Sequence, residues 1–283
     1  MKYYQGLSER GENQENEQSR PNKTTQMLCL LLGTLLIASF IAVIGVIFVS
    51  ELKQKHGESV NLNAFQAQVG ELQSAFPSQN EILWKRSQRI LERHLNNSQP
   101  KEPAILLLTA ATDAEETLLC LSRRLARAYA ISRKGSYTVI SGTQRTFDDG
   151  KEAKMFIDET LSRGFEASAK AAVLHRLESL PPGSILILYK YCDHENAAYK
   201  NVALLITVLL PDETLDPNMD LKELEEKVRD FLKDKFIGSN PDENISHSDM
   251  DMDKLSGVWS RIAHVVLPVR PESNNQEGCK DVE

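Results

Sequence analysis

The sequence predicts an α/β domain, a parallel-rich sheet covered by helices, carried behind one transmembrane helix. Three observations lead there: an uncharged apolar run from Met27 to Val49, short apolar runs that alternate with helical stretches beyond Pro103, and apolar character at every position of several of those runs. Strands alternating with helices argue for a parallel sheet with helices on its faces. Runs without polar alternation, such as Ile105-Leu-Leu-Leu108, Ile185-Leu-Ile-Leu188 and Val202-Ala-Leu-Leu-Ile206, suit strands buried on both faces.

Residues 1–26 are rich in Gln, Asn, Glu and Ser and read as a disordered head. The run from Met27 to Val49 would make about 34 Å of helix, enough to cross a hydrocarbon core of about 30 Å. A cleaved signal peptide has an apolar core of only about 7–15 residues, so a retained anchor is expected. Lys2, Arg10, Arg20 and Lys23 precede the run and only Lys53 and Lys55 follow it closely. That bias favours a cytosolic or nucleoplasmic head and a tail across the membrane, a type II arrangement. In a lumenal tail, Asn96-Asn97-Ser98 and Asn244-Ile245-Ser246 would be N-glycosylation acceptors at Asn96 and Asn244.

Residues 50–79 read as a stalk, with sparse apolar marks at Val60, Leu62, Phe65, Val69, Leu72 and Phe76. Residues 80–272 form the expected domain, and 273–283 a tail. Ile82 to Leu95 is an amphipathic helix that ends before Pro100. Beyond Pro103 come a strand Ala104–Thr109, a helix Ala114–Ser132, a strand Tyr137–Ser141, a helix Phe165–Leu180 stopped by Pro181-Pro182-Gly183, and a strand Ser184–Tyr189. A strand Val202–Leu210, a helix Leu221–Phe236 and a last strand Val265–Val269 complete the order.

Ligands of such sheets sit beyond the carboxyl ends of the strands. A nucleotide site would place a Gly-rich loop and a Lys after the first strand. Here that exit, Thr109 to Glu116, holds neither Gly nor Lys and carries Asp113, Glu115 and Glu116, which repel phosphate. No bound cofactor and no ATPase activity are expected. With 33 Lys plus Arg against 40 Asp plus Glu and a formal charge of −7, the chain lacks the basic surplus of a nucleic-acid binder.

The densest reactive chemistry lies in Tyr189-Lys-Tyr-Cys-Asp-His-Glu-Asn196. Cys192 and His194 invite a nucleophile-and-base reading or the start of a metal site. Their i, i+2 spacing does not align a thiol with an imidazole, and no second Cys/His pair completes a zinc site. Asp193, His194, Glu195 and Asn196 therefore read better as a polar loop that caps the sheet or meets a partner. Cys120, Cys192 and Cys279 would face an oxidising lumen, leaving one thiol unpaired. Cys120 with Cys279 is the expected pair, with the other two pairings and three free thiols left open.

Four strings close the reading: Ala171-Ala-Val-Leu-His-Arg-Leu-Glu-Ser179, Tyr189-Lys-Tyr-Cys-Asp-His-Glu-Asn-Ala-Ala-Tyr199, Glu225-Glu-Lys-Val-Arg-Asp-Phe-Leu-Lys233 and Asp253-Lys-Leu-Ser-Gly-Val-Trp-Ser-Arg-Ile262. Over about residues 80–272 the chain resembles the lumenal domains of torsin-interacting proteins, the lamina-associated polypeptide 1 group and its relative of the endoplasmic reticulum. The resemblance implies a degenerate AAA+-like domain that binds a torsin ATPase in the lumen of the endoplasmic reticulum or nuclear envelope, with ATP held by the partner. It also implies that Arg261 acts as an arginine finger in trans; Trp259 nearby reads, without the resemblance, as core or interface packing. The 26-residue head is too short for the nucleoplasmic region that engages lamins in the nuclear-envelope member, so lamin binding is not expected. A membrane tether that binds without stimulating is the alternative function, and a lumenal Cys/His enzyme the remote one.

Overall fold

The computed structural model describes residues 32–33, 36–37, 39–46, 60–143, 147, 149–237 and 250–273. The chain divides into a unit of residues 1–57 and a compact unit of residues 58–283. In the first, the described residues are helical, and the apolar Leu36, Ile37, Phe40 and Val46 are exposed. Among the described residues no helix is long and apolar enough to cross a membrane. Much of the expected Met27–Val49 span lies outside them.

The second unit is a five-stranded sheet between two layers of helices. In chain order it runs α1 (Leu62–Ala75), α2 (Glu81–Asn96), β1 (Ala104–Ala110), α3 (Glu115–Ser132), β2 (Ser136–Ser141), α4 (Gly150–Ala167), β3 (Ala169–His175), a 3-10 stretch Pro182–Ile187, α5 (Leu188–Cys192), β4 (Ala203–Leu209), α6 (Leu221–Ile237), α7 (Met252–Ile262) and β5 (Val266–Pro268). The strand order is β2-β3-β4-β1-β5 and every pairing is parallel. Side chains one residue apart on β1 enter opposite cores. Leu106 and Leu108 pack with α1, α2 and α3, while Ile105 and Leu107 pack with α4, α5, α6 and α7. A strand covered on both faces has no polar side to show, which is why its sequence does not alternate.

Helix starts follow side-chain capping, in which an oxygen before the helix accepts an otherwise unpaired backbone N–H. Asn61, Asn80, Asp149 and Asp251 cap α1, α2, α4 and α7 in this way, and Asp220 accepts the Glu223 N–H at the start of α6.

Three expectations need correction. Ala171 to His175 is a strand, not the middle of a helix that reaches Leu180. Alanine-rich sequence favours helix locally, but pairing with β2 and β4 buries this segment on both faces and overrides propensity. Ser184 to Tyr189 is helical, not a strand. Pro182 sits at the first position of the 3-10 turn, and a short apolar run bounded by turns is as consistent with a buried helix as with a strand. The stalk does not extend to residue 79, because Phe65, Val69, Leu72 and Phe76 are buried in the core beside α3.

Candidate functional site

Arg261 occupies the last turn of α7, where a cation is favoured by the partial negative charge of the helix end. Leu255, Val258 and Ile262 turn to the core, which aims Arg261 sideways at the loop that follows α5. There its Nε and Nη2 donate to Asp193 Oδ2 at 3.0 and 2.9 Å, and Nη1 donates to the Gly257 carbonyl at 2.8 Å. The guanidinium carbon lies 4.4 Å from the centroid of the Tyr189 ring, a cation–π contact. The Arg261 side chain keeps 24% of its surface in solvent.

Asp193 is held as firmly as the arginine it meets. Its Oδ1 accepts the backbone N–H groups of Asn196 and Glu195 at 2.8 and 3.0 Å, a turn that folds the loop around the carboxylate. The Asn196 amide, then the Arg261 guanidinium and the Glu195 amide, hold its carboxyl down at about 2. Tyr189 is fixed too, its hydroxyl donating to the Lys254 carbonyl at 3.1 Å. Tyr189 reaches α7 only because position 257 is glycine: a Cβ there would come within 1.7 Å of the hydroxyl oxygen.

His194 leaves the same loop in another direction. Its Nδ1 lies 2.9 Å from Glu102 Oε2, and its ring stands 4.8 Å from that of His264. Burial, and then the neighbouring His194, lower the His264 pKa. The Glu195 and Asn196 side chains are exposed. Trp259 faces away from this cluster, lining a hollow of about 380 Å³ with Arg229, Lys233, Met252 and Leu255. Asn96 is exposed at the end of α2; Asn244 lies outside the described residues.

Cys192 does not carry a reactive thiolate. It is free and fully buried on α5, and burial pushes its thiol up to about 12. Among the described residues no three His, Cys, Asp or Glu side chains gather as metal ligands. Cys120, on α3, is disulfide-bonded. With Cys192 free, the two pairings that use it are excluded, and Cys279 lies outside the described residues.

At the carboxyl ends of the central strands a second polar group fills the place where such sheets bind ligands. Arg176, at φ 58°, donates from Nη1 to Glu115 at 2.6 Å and from Nε to Glu178 at 2.9 Å. Glu178, only 3% exposed, also accepts the Leu209 N–H. Thr207 Oγ1 accepts the Arg176 N–H and lies 2.8 Å from His175 Nδ1, whose pKa burial lowers to about 4. Sequence reasoning missed this network, as it missed Tyr189 and Gly257. Only the dense charge around Glu115 and Glu116 hinted at it.

A family model described as lamina-associated polypeptide 1, AAA+ activator domain, matches residues 47–280. Torsin-1A-interacting protein 1 of Homo sapiens is 54% identical over 222 residues, which are 78% of this chain and 38% of that protein. The proteins of the same name from Pongo abelii and Bos taurus are each 53% identical over 222 residues, again 78% of this chain and 37% of theirs. The chain thus spans well under half the length of these curated relatives.

Proposed function

The chain belongs to the lamina-associated polypeptide 1 AAA+ activator-domain family, and on that premise we propose that its globular unit binds a torsin ATPase and speeds ATP hydrolysis with Arg261 as an arginine finger in trans. The observation that carries this reading is Arg261 itself: a permanently charged guanidinium, fixed at a helix end and still part-exposed. Phosphoryl transfer spreads negative charge over the γ-phosphoryl oxygens, and a guanidinium placed there stabilises the transition state. Lysine, a single point charge, is a poor substitute.

ATP belongs to the partner in this reading. The turn after β1 lacks a phosphate loop, and its Glu115 is tied to Arg176. The exposed His194, Glu195 and Asn196 supply the surface around the finger, and Trp259 with its hollow supplies a second partner contact on another side of α7. Met27–Val49 anchors the chain in the endoplasmic reticulum or nuclear envelope membrane, supported by the exposed apolar side chains of Leu36, Ile37, Phe40 and Val46. The globular unit then lies in the lumen, with Cys120 paired to Cys279 and glycans at Asn96 and Asn244.

The internal ion pair of Arg261 favours one second reading, a tether whose arginine is purely structural. The deciding experiment measures ATP turnover by a torsin with the full chain in detergent, wild type against Arg261→Ala, beside a pull-down in ATP. Under the activator reading the variant binds but turnover falls to that of the ATPase alone; known fingers are worth on the order of 10³–10⁵ in rate. Equal stimulation by both chains removes the finger, and binding by both without stimulation by either leaves the tether.

A further inference from the structure

We infer that Asp193 is a positioning residue for Arg261: it holds the guanidinium by one edge so that the opposite fork of N–H groups is presented, already oriented, to a tetrahedral oxyanion of the partner's nucleotide. This deepens the arginine-finger reading and rests on it.

A guanidinium has five N–H donors in a rigid plane. Nε and Nη2 each give one to Asp193 Oδ2, and Nη1 gives one to the Gly257 carbonyl. Two donors remain, one on Nη1 and one on Nη2, and these are the pair that grips phosphate oxygens bidentately. Arg261 can therefore engage a phosphoryl group without releasing Asp193.

The support behind Asp193 explains why it can hold a long side chain still. Its Oδ1 is spent on the amides of Glu195 and Asn196, so the carboxylate cannot swing with the arginine. The Tyr189 ring, 4.4 Å from the guanidinium carbon and anchored to the Lys254 carbonyl, closes one face. An unrestrained arginine loses rotamer freedom when it is fixed. Ordering it before the partner arrives moves that cost out of the transition state.

Asp193 also carries a negative charge beside the phosphate-binding fork, which opposes the attraction of phosphate. Positioning and charge predict opposite outcomes when Asp193 is removed. Loss of positioning lowers turnover, whereas loss of the charge, or release of a lock on Arg261, raises it.

The test compares full chains carrying Asp193→Ala, Asp193→Asn and Asp193→Glu with wild type and Arg261→Ala. Stimulated kcat of the torsin is read separately from the activator concentration giving half-maximal stimulation, and thermal unfolding is followed in parallel. Asp193→Ala is expected to lower stimulated kcat by about 10- to 100-fold, the scale of a misplaced catalytic group, with half-saturation changed less than about twofold. Asp193→Asn, which keeps an acceptor for the guanidinium, falls between Ala and wild type, and Asp193→Glu rescues in part. Asp193→Ala that matches or exceeds wild type while Arg261→Ala is inert overturns the positioning role alone. Stimulation surviving in Arg261→Ala overturns the finger and the positioning role together. Equal loss of kcat, half-saturation and unfolding temperature in Asp193→Ala, without rescue by Glu, reduces the residue to a fold contact and also overturns the proposal.

Discussion

Gly257 is the residue at which packing and function meet most directly. In the interior of an exposed helix, glycine is less stable than alanine by about 0.5–1 kcal/mol, so Gly257→Ala would ordinarily stabilise α7. Here the added Cβ would stand 1.7 Å from the Tyr189 hydroxyl and 2.7 Å from its Cζ, so the ring has to move. That movement breaks the hydrogen bond to Lys254 and withdraws the plane beneath Arg261. Gly257→Ala is expected to lower the unfolding temperature and weaken torsin stimulation although Arg261 is untouched. Scanning fluorimetry beside ATP turnover checks both; a higher Tm with unchanged turnover would mean that the ring yields freely. Neither Gly257 nor Tyr189 announced itself in the sequence, because their contact joins two helices more than sixty positions apart. Arg261 was singled out only by the resemblance of the strings around it, since its charge alone does not set it apart from other helix-end arginines, and its role stays a proposal.

At the level of elements, α1 separates a stalk from a domain. Its spacing of four, three and four residues through Phe65, Val69, Leu72 and the following Phe76 was visible, but its sparseness concealed that all four are buried. Phe65→Ala is expected to cost about 3–5 kcal/mol, as truncation of a buried aromatic does. Urea unfolding of the full chain measures this directly, and a change within about 0.5 kcal/mol would return α1 to the solvent-exposed class. The two misread segments follow the same physics. Ala171 to Leu174 and Ile185 to Leu188 are apolar at every position and largely buried, so no polar side remains to reveal a period of 2 or 3.6. Strand and helix were then decided by which neighbours supplied hydrogen bonds and space.

For the whole molecule, two hydrophobic cores flank one sheet, and the disulfide at Cys120 adds a covalent restraint to one of them. If Cys279 closes that bridge, the loop it spans corresponds to about 4–5 kcal/mol in the chain-entropy account. Reducing agent is expected to lower the denaturation midpoint of the wild type, and Cys192→Ala to leave that response intact, because Cys192 takes no part in the bridge. Peptide mapping without reduction identifies the partner; a Cys120 peptide joined to any residue other than Cys279 would overturn the pairing. Cysteine count and compartment suggested a bridge, but only the buried, free state of Cys192 narrowed the choice.

By itself the sequence determined the α/β class, the apolar N-terminal run, the four recognisable strings and the missing phosphate loop. Each of these is written in neighbouring residues: in local periodicity, in the length of a run or in the composition of one turn. Only the tertiary structure decided that β3 is a strand, that α1 belongs to the core, that Arg176 binds Glu115 and Glu178, and that Asp193, Tyr189 and Gly257 converge on Arg261. These depend on which distant segments pack together, and the free energy that selects them comes from burial and pairing across the sheet rather than from the preference of any residue for its neighbours.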